Sequence, residues 1–305
     1  MTHMTTHETH DVAEAAELAE VTGAARADKV TGAIVVTGAT GNVGRALVRM
    51  LHEAGAPVTA VARTVAETDV PAGVRAAPAD LAEPAGLRAA FAGAEALFLL
   101  VAGEDPHGVL AEAKAAGIRR VVLLSSQGAG TRPEAYRHPR LFEEAVRESG
   151  LDRTILRSGG MATNAFAWAE SIRARREAAA PFGDVGLPFV DPDDVAAVAA
   201  AALLGDDHLG ATYTLTGPAP TTPRGRAAAI AAALGEPVRF TEQTVTEARE
   251  LMSRFMPPPA VEGTLAILGE PTEEEQRPTP DVEHVLDRAP NSFADWAARN
   301  APAFR

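Results

Sequence analysis

The sequence predicts a doubly wound α/β fold, a parallel sheet with helices on both faces, joined to a small carboxy-terminal α/β unit. Three observations predict it. From residue 33, apolar runs of strand length alternate with amphipathic segments of helical period, as a parallel sheet with crossover helices requires. A glycine-rich turn separates the first run from the first helical segment. The length of 305 residues suits one large α/β domain with a small appendage.

In chain order, strands are expected at 33–37, 58–62, 74–77, 96–101, 120–125 and 153–157, where aliphatic and β-branched residues dominate. Helices are expected at 43–54, 84–91, 107–116, 134–149 and 162–178. Right-handed crossovers wind that order into one sheet. After residue 157 the alternation loosens and Pro and Gly accumulate; helices are expected at 192–204, 223–234 and 244–256, and short strands at 212–216 and 237–241. The stretch Met256–Pro280, with Pro257-Pro258-Pro259 and Glu273-Glu274-Glu275, reads as a loop, either a flap over a site or a plain linker. The segment SFADWAARNAPAF reads as a terminal helix capped by Ser292, with Phe293 and Trp296 on its buried face.

Composition excludes several functions. With no cysteine, the chain has no disulfide, thiolate metal site or thiol nucleophile. A net charge of −13 opposes general binding to nucleic acid, which needs a basic face. No apolar run approaches the roughly 20 residues that span a bilayer, and the polar, acidic start lacks the apolar stretch of a signal peptide. A cytoplasmic protein without nucleic-acid or membrane partners is therefore expected. Residues 1–31 read as an extension before the fold; His3, His7 and His10 share a helical face there, as a weak metal site or, more plainly, a solvated tail.

The glycine turn is Gly38-Ala39-Thr40-Gly41-Asn42-Val43-Gly44. Glycines at this spacing let a backbone approach a pyrophosphate, and the following helix start supplies unpaired N–H groups. Gly38, Thr40, Gly41, Asn42, Val43 and Gly44 are thus candidate dinucleotide contacts. The second strand ends at Arg63, where a carboxylate would select NAD; an arginine pairs instead with the 2′-phosphate of NADP. NADP(H) is accordingly expected over NAD(H). Asp80 and Leu81 after the third strand, and Val101 after the fourth, fall beside the same cleft; Asp80 equally suits a helix cap.

The segments TGATGNVGRALV, VAR, PADL, ALFLLV, VVLLSSQGA, SGLDRTILRSGGMATN and PFVDPDDVAAVAAAAL resemble NmrA-like proteins of the atypical short-chain dehydrogenase/reductase superfamily, from about residue 33 to the carboxyl terminus. The resemblance implies a Rossmann-type, dinucleotide-binding core over 32–157 and substrate-covering segments over 158–305, with helix 191–204 packing back on the core. It also implies that the turn after the sixth strand lies beside the nicotinamide and the substrate. Gly160, Met161, Asn164, Phe166 and Trp168 are then substrate candidates, although the two aromatics suit a core equally well. Asp191, Asp193 and Asp194 read as helix-capping acids.

For chemistry, Ser125 and Ser126 end the fifth strand, where a hydroxyl either meets the nicotinamide end of the cofactor and a substrate carbonyl or caps the turn. Gln127 is a further polar candidate. Tyr136 and Arg140 have the spacing of a Tyr-x-x-x-Lys pair with arginine in the lysine's place, and an arginine cannot relay a proton. Only two lysines occur, Lys29 and Lys114, and neither falls there. His138 is an alternative proton donor or a surface histidine. The leading expectation is an NADP(H)-dependent oxidoreductase reducing a small carbonyl, enone or quinone, in secondary metabolism. The alternatives are a non-catalytic dinucleotide sensor and a non-redox enzyme on the same fold. A homodimer through sheet-flanking helices is compatible with the sequence, which shows no clear self-complementary patch.

Overall fold

A computed structural model of the chain describes residues 32–305. The histidines of the amino-terminal extension, and Lys29, lie outside the described residues. The first half alternates as the pattern predicts: β1 Ala33–Thr37, α1 Asn42–Glu53, β2 Val58–Ala62, β3 Arg75–Pro78, α2 Leu87–Phe91, β4 Ala94–Leu100, α3 Pro106–Ala115, β5 Arg120–Ser126, a one-turn α4 Gly128–Thr131, α5 Arg137–Glu148 and β6 Asp152–Ser158. Then follow α6 Ala169–Arg175, β7 Glu177–Ala180, α7 Pro192–Leu204, β8 Thr212–Leu215, α8 Pro223–Leu234, β9 Arg239–Glu242, α9 Val245–Met252, α10 Pro258–Gly269, α11 Glu273–Gln276, α12 Asp281–Leu286 and α13 Phe293–Asn300.

Seven strands form one sheet in the order β3-β2-β1-β4-β5-β6-β8, and every pair in it is parallel. Successive residues of the central strands feed opposite layers. Ile34, Val36, Phe98, Val122 and Leu156 pack under α1, α7 and α12 through Leu47, Val195, Val198 and Val282. Val35, Leu97, Leu99, Val121 and Ile155 pack under α2, α3 and α5 through Phe91, Val109 and Phe142. Burial on both faces is why these strands read as continuous apolar runs. Helix α7 packs directly on α1. Its last carbonyls, Leu203 and Gly205, accept hydrogen bonds from the buried Arg120 at the start of β5, a cationic cap on a helix end.

The chain departs from expectation in four places, one of them in the first half. The predicted helix 162–178 is a 3-10 turn over Ala162–Trp168, then α6, and it stops at Arg176 with φ +52. Residues 177–180 leave it as β7, which pairs in parallel with β9 in a separate two-stranded sheet. The predicted helix 134–149 begins only at Arg137, because Pro139 occupies its first turn, where no N–H is needed. The stretch 256–280 is not a loop. Pro258 and Pro259 open α10, where their fixed φ suits a helix start, and Thr272 with Glu275 forms a capping box that starts α11. Helix α12 was not anticipated. The terminal helix starts at Ser292 as expected, and its Phe293 and Trp296 join Trp168, Ile172 and Ile230 in a separate core for the smaller lobe.

The tightest backbone contact lies at the first turn. Gly38 takes φ +63, a conformation that L side chains rarely adopt. A Cβ on Gly44 would stand 2.1 Å from the Gly38 carbonyl oxygen. Substituting Gly44→Ala must push α1 off the sheet, a change expected to cost about 3 kcal/mol. Thermal melting should show a lower Tm, by roughly 2–4 °C per kcal/mol in a domain of this size. An unchanged melt would show that the turn is not tight.

Candidate active site

The carboxyl ends of the strands carry two openings. The first is a cleft of about 570 Å³ over β1, β2 and β4, lined by Gly38, Thr40, Gly41, Arg63, Asp80, Leu81, Leu100 and Gly103 among others. It lies where the strand order reverses between β1 and β4, the switch point at which doubly wound sheets hold ligands. Helix α1 starts there without a side-chain cap. Among the described residues, the N–H groups of Asn42, Val43 and Gly44 donate to no backbone acceptor, which leaves partial positive charge facing outward. The cradle therefore fits the pyrophosphate of a dinucleotide. Arg63 stands exposed on the cleft, and no described group pairs with its guanidinium. Asp80 Oδ1 accepts from the Ala82 N–H at 3.0 Å, so it braces its own turn at the cleft wall. The side chains of Val43 and Val101 belong to the packing on opposite sides of the sheet, and Asn42 faces a neighbouring groove with Arg45. Those three line the cleft with no side chain.

The second opening, about 200 Å³, sits over β5 and β6. Ser126, Gln127, Gly160, Asn164 and Tyr136 reach its wall, together with Phe189, and α10 closes it from above with Thr264, Ile267 and Leu268. The Tyr136 ring lies against Gly128, where a Cβ would come within 2.6 Å of the ring. Burial pushes the Tyr136 phenol up; its hydrogen bond with Thr264 and the charge of Arg132 only partly oppose this. The tyrosine is therefore a neutral hydroxyl near pH 7, a donor rather than a base. Arg140 turns outward to Glu144 at 2.9 Å. The cation beside Tyr136 is instead Arg132, which clamps Glu275 at 2.8 Å through two nitrogens and also holds the Glu270 carbonyl.

Several expected roles change. Ser125 does not face the opening: its hydroxyl donates to Glu143 at 2.7 Å, inside the layer beneath α5. Glu143 is fully buried there and also receives Arg157 and Arg147. Ser126 keeps its place, with Oγ accepting from the Gly128 N–H at 3.2 Å. His138 is drawn away by the Gly103 carbonyl, to which Nε2 donates at 2.7 Å, and its ring packs edge-on against Phe142. Met161 pairs with Val190 and packs on the main core. Phe166 stacks with Trp296 and Phe304, while the Trp168 indole donates to the Ala179 carbonyl. Both aromatics hold the smaller lobe together instead of lining the second opening. Asp191 does cap α7, accepting from the Asp193 N–H at 3.0 Å, and Asp194 is buried against Arg288 and Asn291.

Sequence reasoning missed Arg132, Thr264 and Glu275. The last had a legible signal in the Thr272-x-x-Glu275 capping box; the other two gain their roles only through long-range packing. It also missed Arg226, buried behind the pocket wall with its guanidinium 3.7 Å from the centroid of Phe189. Burial without a described carboxylate partner pushes its pKa down to about 10, so it stays charged at neutral pH and rests on aromatic faces. Among the described residues no group of His, Asp or Glu is arranged to hold a metal, and no helix is long and apolar enough to cross a membrane.

A dinucleotide cradle beside a small pocket with a neutral tyrosine defines a Rossmann-type NAD(P)H-dependent reductase, and comparison with known proteins agrees. A family model described as NAD(P)H-binding matches residues 38–206. The chain belongs to this NAD(P)H-binding family. It is 38% identical over 285 residues, 89% of this chain and 99% of the relative, to (4-alkanoyl-5-oxo-2,5-dihydrofuran-3-yl)methyl phosphate reductase of Streptomyces griseus. It is 31% identical over 284 residues, 89% of this chain and 99% of the relative, to the NAD(P)H azoreductase of Xenophilus azovorans. Among solved structures, the NADPH-dependent quinone oxidoreductase of Escherichia coli superposes with a TM-score of 0.71 at 23% identity, over 87% of this chain and 98% of that one. The transcriptional regulator NmrA in complex with NADP gives 0.69 at 20% identity, over 90% and 96%. At these identities the two structures speak for the fold.

The buried Glu143 network is testable as a stability element. Burial alone would raise the Glu143 pKa; hydrogen bonds from Arg157, Ser125 and Arg147 outweigh it and hold the carboxyl below its ordinary value. The stability it contributes is present above the unfolded carboxylate pKa and is lost as pH falls through the lowered folded value. Glu143→Ala should cost about 3 kcal/mol near pH 7, at the low end for a broken buried pair because both arginines stay partly exposed. Urea unfolding at pH 7 and pH 3.5 should show the gap between variant and wild type narrowing in acid. Equal gaps at both pH values would contradict the assignment.

Proposed function

We propose that this reductase prefers NADPH and transfers hydride to a small, uncharged, conjugated carbonyl acceptor, an unsaturated lactone, enone or quinone, in the cytoplasm. The observation that carries the reading is the chemistry of the second opening: a neutral Tyr136 hydroxyl, apolar walls from Phe189, Ile267 and Leu268, and no lysine. A reduced nicotinamide, when bound, supplies the hydride. The chain does the rest. Helix α1 and Arg63 hold the phosphates, α10 excludes water, and Tyr136 offers its proton to the oxygen on which charge collects. Conjugated acceptors take hydride with this modest acid assistance, whereas an isolated ketone asks for a stronger proton relay.

The named relatives act on a furanone and on azo compounds, both conjugated acceptors, which supports this class. The Streptomyces substrate carries a phosphate. In the pocket described here, the nearby cation Arg132 is occupied by Glu275, so a phosphate on the substrate gains no unpaired charge from the described lining. We therefore place phosphate-free acceptors in its range. Anaerobic NADPH oxidation should proceed with menadione and with an acylated unsaturated γ-lactone, the free alcohol of the lactone being turned over within about tenfold of its phosphate ester (about 1.4 kcal/mol). A hundredfold preference for the ester would overturn the uncharged-substrate reading.

The NADP preference rests on Arg63, an exposed guanidinium without a described partner at the end of β2. Arg63→Ala should weaken NADPH binding by about tenfold to a hundredfold, the worth of hydrogen bonds to a charged group, and leave NADH binding unchanged. Titrating both cofactors against wild type and variant by fluorescence checks it; equal losses for the two would remove the phosphate role.

A further inference from the structure

Three buried side-chain nitrogens have no partner among the described residues: Arg120 Nε, Arg226 Nε and Gln127 Nε2. The first two belong to guanidinium groups engaged otherwise, Arg120 through hydrogen bonds to Leu203 and Gly205, Arg226 through aromatic faces. Gln127 differs, because it lines the substrate pocket. Buried amide donors are almost always paired, and an unpaired one asks for a ligand or a water. Among its neighbours, Ser126 Oγ accepts from the Gly128 N–H, Thr131 Oγ1 donates to Glu275, and the Tyr136 hydroxyl is hydrogen-bonded with Thr264, so none of these bonds reaches the Gln127 amide.

The main chain around Gln127 is fixed on both sides. Its N–H donates to the Ser158 carbonyl at 2.9 Å, tying it to the end of β6, and its carbonyl accepts from the N–H groups of Gly130 and Thr131 at 2.9 and 3.1 Å. The carboxamide oxygen lies along the backbone of Gly159. The side chain is thus carried on a main-chain anchor fixed between the strand ends. Preorganised donors of this kind, aimed into a pocket, stabilise charge that develops during reaction.

We propose that Gln127 is a catalytic residue whose carboxamide N–H donates to the carbonyl oxygen of the conjugated acceptor. This inference rests on the acceptor class proposed above. In the reaction the acceptor gains a hydride from the reduced dihydronicotinamide, whose C–H bond breaks. The π pair of the acceptor shifts onto the carbonyl oxygen, which becomes anionic and is held by the Gln127 N–H. One proton, from the Tyr136 hydroxyl and ultimately from solvent, then completes the reduced product. The acceptor is reduced by two electrons and the nicotinamide is oxidised by two.

Gln127→Leu and Gln127→Glu test this in the full-length protein, with NADPH and menadione under anaerobic conditions. Gln127→Leu should lower kcat by about 10²–10³-fold, keep the NADPH Kd within threefold, and melt at the wild-type temperature or above, because the amide it removes has no partner. Gln127→Glu should be nearly inactive at pH 8 and regain activity as pH falls, since only its protonated form can donate. A kcat within threefold of wild type in the Leu variant overturns the proposal, as does an NADPH Kd weakened tenfold or more, which would assign the amide to the cofactor. A Glu variant whose pH profile parallels that of wild type also overturns it, and so does a Tm lowered by several degrees, the mark of a structural role. Wild-type protein that binds NADPH yet reduces neither menadione nor an unsaturated ketone would overturn the acceptor class itself, and this inference with it.

Discussion

The contact between Gly38 and Gly44 is the constraint on which the rest depends. Two backbones meet there with no side chain between them, so α1 starts directly over the first turn. The amino-terminal N–H groups of the helix, without intrahelical partners as at any helix start, are left open toward the cleft. The same helix docks on α7, and Arg120 fastens the far end of α7 to β5. The dinucleotide cradle and the position of the later chain segments are therefore set by one packing event.

The pocket is built differently. Its floor comes from the ends of β5 and β6, but its roof is made by α10 and α11, more than a hundred residues later in the chain. Glu275 joins the two parts by accepting from Thr131 and Arg132 and by capping its own helix through Thr272. Burial opposes its charge, yet these hydrogen bonds and the Arg132 cation keep its pKa low. A carboxylate held by so many donors in little water specifies one arrangement more sharply than apolar contact does. The residues beside Tyr136 are accordingly structural charges, already balanced, and the pocket presents neutral groups to a ligand.

Much of the main sheet was legible in the sequence because its strands are buried on both faces and its helices follow a regular period. The glycine turn was legible too: Gly38, with φ +63, and Gly44, in contact with the Gly38 carbonyl, mark a backbone geometry that a side chain does not fit. Where reading failed, the deciding forces were long-range. Residues 177–180 become a strand only because 239–242 lie alongside. Ser125 looked like a pocket hydroxyl because its position in β5 is right, but the pleat turns it toward Glu143, on a helix whose inward carboxylate has no local signature. Phe166 and Trp168 were ambiguous by nature, since an aromatic pair serves a pocket or a core equally well, and the distant Trp296 and Phe304 decide the matter for Phe166. The proline run was the more avoidable error, because proline opens helices as readily as it ends them.

The missing lysine gains a physical meaning from this arrangement. In a Tyr-x-x-x-Lys site the cation lowers the phenol pKa and passes the proton onward. Here the corresponding Arg140 is turned to the surface, and burial leaves Tyr136 with a raised pKa. A tyrosine in that state can give a proton to an oxygen already carrying charge, but it cannot readily take one from a neutral alcohol. In the function proposed above, that state biases the site toward reduction, and toward substrates whose oxygen becomes basic only after hydride has arrived. That bias follows from the burial of one ring beneath α10.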